Sequence, residues 1–325
     1  MKKILATMLS VGMCTSAFAS SEGFDEYLNK LRAEARDKGI SEQVISAAFA
    51  NVEYKPRAVK ADRNQPEKKL TLDEYIPRAV PEWKVKQARQ LYKEHYTELK
   101  RIGDEYGVHP RFIVALWGGV ESNFGKFTGN FKVIDALSTM AFEGRREEFF
   151  RKETMSALQI LDQGHIELEN FKGSWAGAMG QCQFMPSSFL RFAADGNGDG
   201  KKDIWQSEAD VFASTANYLS KSGWDDKYTW GGRQVKVPKN IDRSLEGRTA
   251  EKGKYLQEWS QLGITKYDGS PLPKLDEDIK AWLIMPDDEN GRTYLVYNNY
   301  NVLMKWNRSY YFALAVSHLA DRIKY

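Results

Sequence analysis

Cysteine is scarce in this sequence, which contains two, Cys14 and Cys182. Cys14 lies in an N-terminal segment that we expect to be removed, so one thiol remains and no internal disulfide can form. We interpret Cys182 as a small packed residue and not a nucleophile, because no basic partner lies near it in the sequence. The four histidines lack metal-ligand spacing. The fold must therefore rely on its hydrophobic core.

The sequence also lacks an excess of one charge. It has 47 Lys and Arg against 44 Asp and Glu, a formal net charge of +3, with the two signs interleaved. Removal of residues 1–19 takes away Lys2 and Lys3, which leaves +3 − 2 = +1. A nucleic-acid partner would require a basic run or patch, so nucleic acid is excluded as the ligand.

The N-terminus has the three parts of a secretory signal peptide. They are the positive Met1-Lys2-Lys3, a mostly apolar stretch from Ile4 to Met13, and the small-x-small site Ala17-Phe18-Ala19. We expect cleavage after this site, which removes residues 1–19 and exports the remainder.

No membrane anchor is predicted. A spanning helix needs roughly 20 apolar residues, and the N-terminal stretch is shorter than that. Lipidation of Cys14 is the alternative, but a small residue is expected just before a lipidated cysteine, and Met13 stands there.

Apolar residues recur at helical spacing through residues 20–223 and again near the C-terminus. Residues 51–80 look irregular because Pro56, Pro66 and Pro77 interrupt them. The first predicted helix ends at Gly39. The others are predicted at Ser41 to Phe49, Pro81 to about Gly107, Pro110 to about Glu121, 134–168, 184–194, 210–222 and 310–323.

Short β-like runs separated by turns occupy residues from about 224 to 300. Gln234–Val237, Ala281–Ile284 and Thr293–Tyr297 are the clearest strands, with turns expected at Asp268-Gly269 and Asn290-Gly291. The sequence therefore predicts a mainly α (α+β) fold for residues 20–325, with a small strand-containing insertion at about 224–300.

Aromatic residues make up 13% of the chain, including 9 Trp and 16 Tyr. Aromatic faces stack on sugar rings, which fits a carbohydrate-binding protein. The alternative for any one of them is a place in the helical core.

One segment places a carboxylate at the end of an apolar helix: Phe112-Ile-Val-Ala-Leu-Trp-Gly-Gly-Val-Glu121-Ser-Asn-Phe-Gly125. Burial would raise the pKa of Glu121, and so would the partial negative charge of a helix C-terminus. A glutamic acid that stays protonated near neutral pH can give its proton to a glycosidic oxygen. The alternative is a helix-terminal Glu that faces solvent.

A second segment, Gly173-Ser-Trp-Ala-Gly-Ala-Met-Gly-Gln-Cys-Gln-Phe-Met-Pro-Ser-Ser-Phe189, is rich in small residues that allow close approach of a ligand to the backbone. Gln181 and Gln183 offer paired donors and acceptors suited to acetamido and hydroxyl groups. The alternative is a tight connection between helices.

Further ordered motifs accompany these two segments. They are Phe142-Glu-Gly-Arg-Arg146, Ala178-Met-Gly-x-x-Gln-Phe-Met-Pro-Ser-Ser188, Asp195-x-Asn-Gly-Asp-Gly200, Asp203-Ile-Trp205, Ala216-Asn-Tyr218 and Trp306-Asn-x-Ser-Tyr-Tyr311. Together they resemble the lytic murein transglycosylase B family, glycoside hydrolase family 103, over nearly the whole mature chain.

The resemblance implies a lysozyme-like helical core and peptidoglycan glycan strands as the partner, whereas the signal peptide predicts a periplasmic location. It also implies cleavage of the β-1,4 bond between N-acetylmuramic acid and N-acetylglucosamine, with Glu121 as the single acid and base. Glu121 first protonates the leaving oxygen and then accepts the proton of the muramoyl C6 hydroxyl, which attacks C1. The product is a 1,6-anhydro sugar, and the chemistry needs no cofactor. Substrate assistance by the 2-acetamido group replaces the second carboxylate of ordinary glycosidases.

By the same resemblance, Ser174 supports the carboxyl group of Glu121, while Gln183, Asn307 and Tyr311 contact sugar. Arg145 and Arg146 meet the acidic peptide stem, or else lie on a solvated helix face.

The loop Asp195-Gly-Asn-Gly-Asp-Gly-Lys-Lys-Asp-Ile-Trp-Gln206 resembles a calcium-binding EF-hand loop. Gln206 departs from the pattern, because a bidentate Glu is expected there; Glu208 or Asp210 could replace it in a longer loop. We expect weak structural binding of Ca²⁺, with a metal-free turn as the alternative. The candidate ligands are Asp195, Asn197, Asp199, Lys201, Asp203 and Asp210.

Two other functions remain open. A lysozyme-type hydrolase would need a second carboxylate to activate water, and other Asp or Glu residues could serve. A peptidoglycan-binding scaffold would have lost catalysis, and the intact Glu121 argues against it. Turnover of sacculi and the mass of the products distinguish the three.

Overall fold

The structure is a computed structural model that describes residues 15–64, 70–118, 122–274, 279–288 and 291–323. Helices predominate, as the sequence predicts. The described helices are α1 (Thr15–Asp37), α2 (Glu42–Phe49), α3 (Pro56–Arg63), α4 (Leu72–Ala79), α5 (Glu82–Glu94), α6 (Tyr96–Tyr106), α7 (Pro110–Leu116), α8 (Val133–Phe142), α9 (Glu147–Asp162), α10 (Pro186–Phe192), α11 (Glu208–Lys221), α12 (Leu256–Gln261), α13 (Asn298–Trp306) and α14 (Tyr310–Arg322). The described strands are β1 (Phe131–Lys132), β2 (Lys172–Gly173), β3 (Arg233–Lys236), β4 (Lys254–Tyr255), β5 (Thr265–Lys266), β6 (Lys280–Ile284) and β7 (Thr293–Val296).

Several helix ends lie where the sequence predicts them. Gly39 follows α1 with a positive φ of 79°, and Ser41 caps α2 by accepting a hydrogen bond from the backbone N–H of Val44. Gly107 ends α6 in the left-handed conformation, and Pro110 opens α7, where its missing N–H costs nothing.

The irregular structure predicted for residues 51–80 is wrong, because α3 and α4 lie there. Pro56 occupies the first turn of α3, where proline is tolerated. Thr71 and Glu74 form a reciprocal capping box at the start of α4, which outweighs the proline inside that helix.

Two segments predicted as continuous helix are each interrupted. The helix expected from Pro81 to Gly107 is divided into α5 and α6 at His95, whose φ of −100° and ψ of 13° leave the helical region. The helical stretch expected over 134–168 is divided into α8 and α9 at Gly144, which has a φ of 79°. A regular apolar period does not reveal such local departures.

The chain divides into two compact units. The described residues of the first lie within Met1–Gln65, Gly129–Ala178 and Met185–Ser187. In it, α8 packs against α9, α1 and α3. Phe24 and Phe142 contribute an edge-to-face contact with ring centroids 5.3 Å apart, so these helices enclose an apolar core.

The described residues of the second unit lie within Pro66–Thr128, Met179–Phe184 and Ser188–Tyr325. Its central element is α7, in which every residue from Phe112 to Leu116 is buried. Helices α5, α6, α11 and α14 all pack against α7. The segment that contains Glu121 follows α7 in the chain, and α7 is packed against other helices on several sides.

The second unit also contains a five-stranded antiparallel sheet with the order β4-β6-β7-β3-β5. All of its strands lie within residues 224–300, where the sequence predicts strands. Trp259 of α12 is completely buried against the sheet, and its Nε1 donates to the carbonyl of Ala281 at 3.0 Å. The predicted turn at Asp268-Gly269 is present, with Gly269 at a φ of 84°, whereas Asn290 lies outside the described residues.

Residues 1–14 of the expected signal peptide also lie outside the described residues, and the backbone from Thr15 onward belongs to α1. Among the helices of the described chain, none is both long enough and apolar enough to cross a bilayer.

Candidate active site

Glu121 lies outside the described residues, so its role stays a prediction, but both of its flanks are defined. On one side, Trp117 is buried at the end of α7, and its Nε1 donates to Oε1 of Gln181 at 2.7 Å. On the other side, Ser122 is completely buried, and its Oγ donates to the carbonyl of Trp117 at 3.2 Å. The positions on either side of the predicted acid are thus tied to each other.

Phe124 folds back over the end of α7. Its backbone N–H donates to the carbonyl of Trp117 at 3.1 Å, and the two rings meet edge to face at 5.5 Å. A Cβ at Gly118 would lie 1.8 Å from Cε1 of Phe124, so only glycine leaves room for this ring. The close approach follows from the fold and could not be read from the sequence.

Gln181 serves the protein itself. Its carboxamide accepts from Trp117 and donates to the carbonyl of Trp205 at 3.1 Å, and the residue is 9% exposed. Gly125, at a φ of 77°, approaches it so closely that a Cβ there would lie 2.2 Å from Oε1 of Gln181. The sugar-binding role considered for Gln181 gives way to a structural one.

Gln183 joins the loop after Glu121 to the Gly-rich segment. Its Nε2 donates to the carbonyls of Thr128 at 3.1 Å and Gly180 at 2.9 Å. The residue is partly exposed and has a φ of 49°, in the left-handed region. These bonds use the amide nitrogen and not the amide oxygen, so a sugar contact through the oxygen stays a prediction.

Asn307 lies between α13 and α14. Its Oδ1 accepts from the backbone N–H of Ser309 at 3.1 Å, which fixes the turn into α14. The preceding Trp306 contacts Phe184, which follows Gln183, with ring centroids 5.2 Å apart. The segments that carry these two predicted sugar contacts are thereby packed against each other.

Tyr218 strengthens this connection, and its position in the sequence does not predict this role. Its hydroxyl donates to the carbonyl of Lys305 at 2.7 Å, and its ring lies 4.6 Å from that of Trp306. It therefore holds the C-terminal end of α13 in place.

Tyr311 is positioned by a residue that sequence reasoning missed. Its hydroxyl donates to Oδ1 of Asp287, while Oδ2 of Asp287 accepts from the backbone N–H of Leu72 at 2.6 Å. Burial and the hydrogen bond to Asp287 raise the pKa of Tyr311 above its ordinary value. Asp287 lies in a run that predicts only a turn, so nothing in the sequence points to this partner.

Ser174 belongs to the first unit and organises its own loop. Its Oγ accepts from the backbone N–H groups of Ala178 at 3.0 Å and Ala176 at 3.3 Å, and its N–H donates to the carbonyl of Ala178 at 2.7 Å. The hydroxyl proton is not used in these bonds. Support of Glu121 by Ser174 stays a prediction.

Arg145 and Arg146 share one carboxylate within the first unit. Asp62, with a side chain 5% exposed, pairs with Arg145 at 3.2 Å and Arg146 at 2.8 Å. The guanidinium of Arg146 also lies 4.7 Å from the ring centroid of Phe150. Two cations against one anion leave a positive charge, and the arginines are 68% and 44% exposed. They are anchored and still accessible to an anionic ligand.

Asp195 closes the acidic loop. Its two oxygens accept from the backbone N–H groups of Gly198 at 2.6 Å and Gly200 at 2.7 Å. Desolvation acts to raise the pKa of Asp195, but these backbone hydrogen bonds outweigh it and hold the pKa below its ordinary value. Oδ1 of Asn197 accepts from the N–H of Asp199 at 3.0 Å, so the side chains support the turn.

Asp210 is completely buried beneath this loop. Its oxygens accept from the backbone N–H groups of Gly196 at 2.8 Å and Asp203 at 2.6 Å. Burial raises its pKa against the opposing effect of these bonds. In the part of the chain that the structure describes, no three Asp, Glu, His or Cys side chains form a group that could hold a metal ion. The loop is rich in oxygen but is not preformed around a cation.

Cys182 is packed as the sequence analysis expects. It is buried, and its Sγ lies 3.7 Å from Oγ1 of Thr215. Burial raises the pKa of the thiol to about 12, which keeps it protonated and unreactive.

The chain is similar to known proteins over most of its length. The family described as "Transglycosylase SLT domain" matches residues 23–321. Membrane-bound lytic murein transglycosylase B of Escherichia coli K12 is 32% identical over 236 residues, which are 72% of this chain and 62% of that protein. The chain thus spans less than two thirds of the length of this relative.

Solved structures are similar as well. SltB3 of Pseudomonas aeruginosa, in complex with NAG-anhNAM-pentapeptide, has a TM-score of 0.87 and 40% identity, over 92% of this chain and 79% of that one. SltB1 of the same organism has a TM-score of 0.79 and 29% identity, over 92% and 97%. Slt35 of Escherichia coli, in complex with calcium, has a TM-score of 0.77 and 25% identity, over 93% and 92%. The predicted lysozyme-like, mostly helical fold is confirmed by these likenesses.

Proposed function

Since this chain belongs to the SLT-domain transglycosylase family, we propose that it is a lytic transglycosylase of peptidoglycan. It cleaves the β-1,4 bond between N-acetylmuramic acid and N-acetylglucosamine and leaves a 1,6-anhydromuramoyl end. The observation that carries this proposal is the combined sequence and fold match to SltB3, which was solved with an anhydro muropeptide.

The chemistry needs one residue that first gives and then takes a proton. Glu121 protonates the glycosidic oxygen as the bond between C1 and that oxygen breaks. It then accepts the proton of the C6 hydroxyl as O6 bonds to C1, so no water is consumed. The anchoring of Trp117 and Ser122 on either side of Glu121 supports this role, because a general acid must be held within hydrogen-bond reach of its target.

The other site residues bind the strand. Gln183, Asn307 and Tyr311 contact the sugars, and each has a backbone or side-chain anchor that limits its rotation. Ser174 supports the carboxyl group of Glu121 through its hydroxyl proton.

Arg145 and Arg146 take the acidic peptide stem. Their excess positive charge and exposure support this assignment, because guanidinium groups bind carboxylates with two hydrogen bonds. Asp62 pairs with both side chains but carries one negative charge, so it does not neutralise both.

The protein acts in the periplasm as a mature chain that begins at Ser20. The small-x-small sequence before Ser20 supports this start. An acylated Cys14 at the N-terminus of the mature protein, seen by mass spectrometry, would contradict it.

The loop at 195–203 binds Ca²⁺ weakly, with a structural role. The loop holds a spacing of oxygen ligands typical of such sites, and Slt35 was solved with calcium. Weak affinity is expected because Gln206 stands where a bidentate Glu would supply a charge.

The test is product analysis on purified sacculi. A lytic transglycosylase releases anhydro muropeptides, each lighter by one water than the product of a hydrolase. Hydrated products would assign the protein to the lysozyme-type hydrolases instead. Binding of sacculi without turnover would make it a scaffold.

A further inference from the structure

One large apolar side chain of the second unit stands out by its exposure. Phe127 is 69% exposed, a value that among the described residues only Tyr267 equals for a large hydrophobic side chain. Tyr267 has a hydroxyl group that water can solvate, whereas the phenyl ring of Phe127 has none. Phenylalanine is among the residue types most often fully buried, so Phe127 departs from the usual pattern.

The backbone that carries Phe127 is tied on both sides. Its N–H donates to the carbonyl of Ser122 at 2.9 Å, and Ser122 is the residue directly after Glu121. The carbonyl of the next residue, Thr128, accepts from Nε2 of Gln183 at 3.1 Å. The ring is therefore exposed on a fixed loop and not on a frayed one.

This loop is fixed further by its own turn. The N–H of Gly125 donates to Oγ of Ser122 at 3.1 Å, and Asn123 and Phe124 both have positive φ values. Asn tolerates positive φ, but for Phe124 it is costly and persists only where the surroundings hold it. The fold thus maintains the loop in the shape that exposes Phe127.

We infer that Phe127 is a stacking platform for a sugar ring of the glycan strand, beside the segment that carries Glu121. The inference rests on the proposed function. A pyranose ring has an apolar face of C–H groups that packs on an aromatic ring, and a phenyl group selects such a face over a charged peptide. The binding energy of the platform is the same in the ground state and the transition state, so it acts on KM and not on kcat.

The experiment compares three variants on peptide-free glycan strands. Phe127→Ala should raise KM about tenfold, as expected when an aromatic face that the bound sugar covers is removed. The value of kcat should not change. Phe127→Trp keeps an aromatic face and should restore KM. Tyr267→Ala is the matched control, because it removes an aromatic side chain of equal exposure from the same unit, and its KM should equal that of the wild type.

Melting curves verify that all three variants are folded. An unchanged KM for Phe127→Ala would overturn the platform, and so would an equal rise for Tyr267→Ala. A KM that rises on intact sacculi but not on peptide-free strands would assign the ring to the peptide stem instead.

A direct binding measurement keeps this inference separate from the proposed activity. Affinity for peptide-free strands is measured in a Glu121→Gln background with and without Phe127→Ala. Failure of the wild type to form anhydro products would refute the activity alone. Equal affinity of the two proteins would refute the platform alone.

Discussion

The indole Nε1 of Trp117 donates to Oε1 of Gln181 at 2.7 Å, and both side chains are buried. This hydrogen bond links the end of α7 to the Gly-rich segment, two stretches that lie 64 residues apart in the sequence. It fixes the base of the segment that carries Glu121 before any substrate arrives.

Gln181→Met should lower the free energy of unfolding by about 1–3 kcal/mol, because a buried indole N–H loses its acceptor. Methionine has a similar volume, so packing is retained. Urea unfolding measures the effect. Gln206→Met, at an exposed position of the same unit, is the control and should change stability little. Equal losses of stability in the two variants would show that the hydrogen bond from Trp117 does not stabilise the fold.

Gly118→Ala should destabilise the protein by about 1–3 kcal/mol through overpacking, because the added Cβ would lie 1.8 Å from Cε1 of Phe124. Gly23→Ala adds the same methyl group to α1, where it would lie 3.6 Å from the ring of Phe142, an ordinary contact. Thermal unfolding of the two variants is compared. A Gly118→Ala protein as stable as Gly23→Ala would show that the Phe124 ring can move aside.

Glu121→Gln should abolish turnover of sacculi while the melting curve stays that of the wild type. Gln is nearly isosteric but can neither donate a proton to the leaving oxygen nor accept one from the C6 hydroxyl. General acid–base catalysis contributes about 10²–10⁴-fold, and a residue that serves both steps should reach the upper end. Retention of more than about a tenth of the activity, far above this range, would move the role of acid to another residue.

The contribution of Tyr311 to the stability of the fold should decrease at alkaline pH. Its folded-state pKa is raised by burial and by the bond to Asp287. Its stabilising contribution is complete below the unfolded pKa of about 10 and is lost as the pH rises toward the folded value, because the folded state then binds more protons than the unfolded state. The difference in free energy of unfolding between wild type and Tyr311→Phe should therefore be constant at neutral pH. Above the unfolded pKa of about 10, the wild type should lose stability relative to Tyr311→Phe. A difference that is flat up to denaturation would contradict the shift.

Calcium should raise the melting temperature, and Asp199→Ala should remove the increase. A ligand that binds only the folded state stabilises it by about 2.7 kcal/mol at a hundredfold excess over Kd. Asp242→Ala removes an exposed carboxylate elsewhere in the same unit and should keep the calcium response. Identical melting curves with calcium and with chelator would count against the site.

The parts of the fold that the sequence predicts are those with local causes. Ser41, Gly39 and Pro110 determine helix ends through hydrogen bonds or dihedral angles of their own neighbourhood. The short helices α3 and α4 escape the sequence pattern because proline usually interrupts helices, although the first turn of a helix accepts it. The break at His95 has no counterpart in the apolar period.

The residues of the site divide in the same way, into those with local sequence signals and those that depend on tertiary contacts. The pattern around Glu121 identifies the segment, and the ordered motifs identify the family. Partners that depend on tertiary contacts escape the sequence, since Asp287 resembles any turn residue and Gln181 resembles a ligand-binding amide. Only the fold reveals that Asp287 holds Tyr311 and that Gln181 holds Trp117.

The interleaving of the two units along the chain determines the order in which they can form as an exported chain emerges from its N-terminus. The backbone passes between the units five times, so residues up to Ser187 must have emerged before the first unit is complete. The second unit must wait longer, because the last helix, α14, packs against α7. A nascent or truncated chain without α14 leaves the apolar surface of α7 uncovered, and the segment that carries Glu121 then extends from an unfinished support. Any activity that depends on this segment is therefore delayed until α14 has emerged and packed against α7.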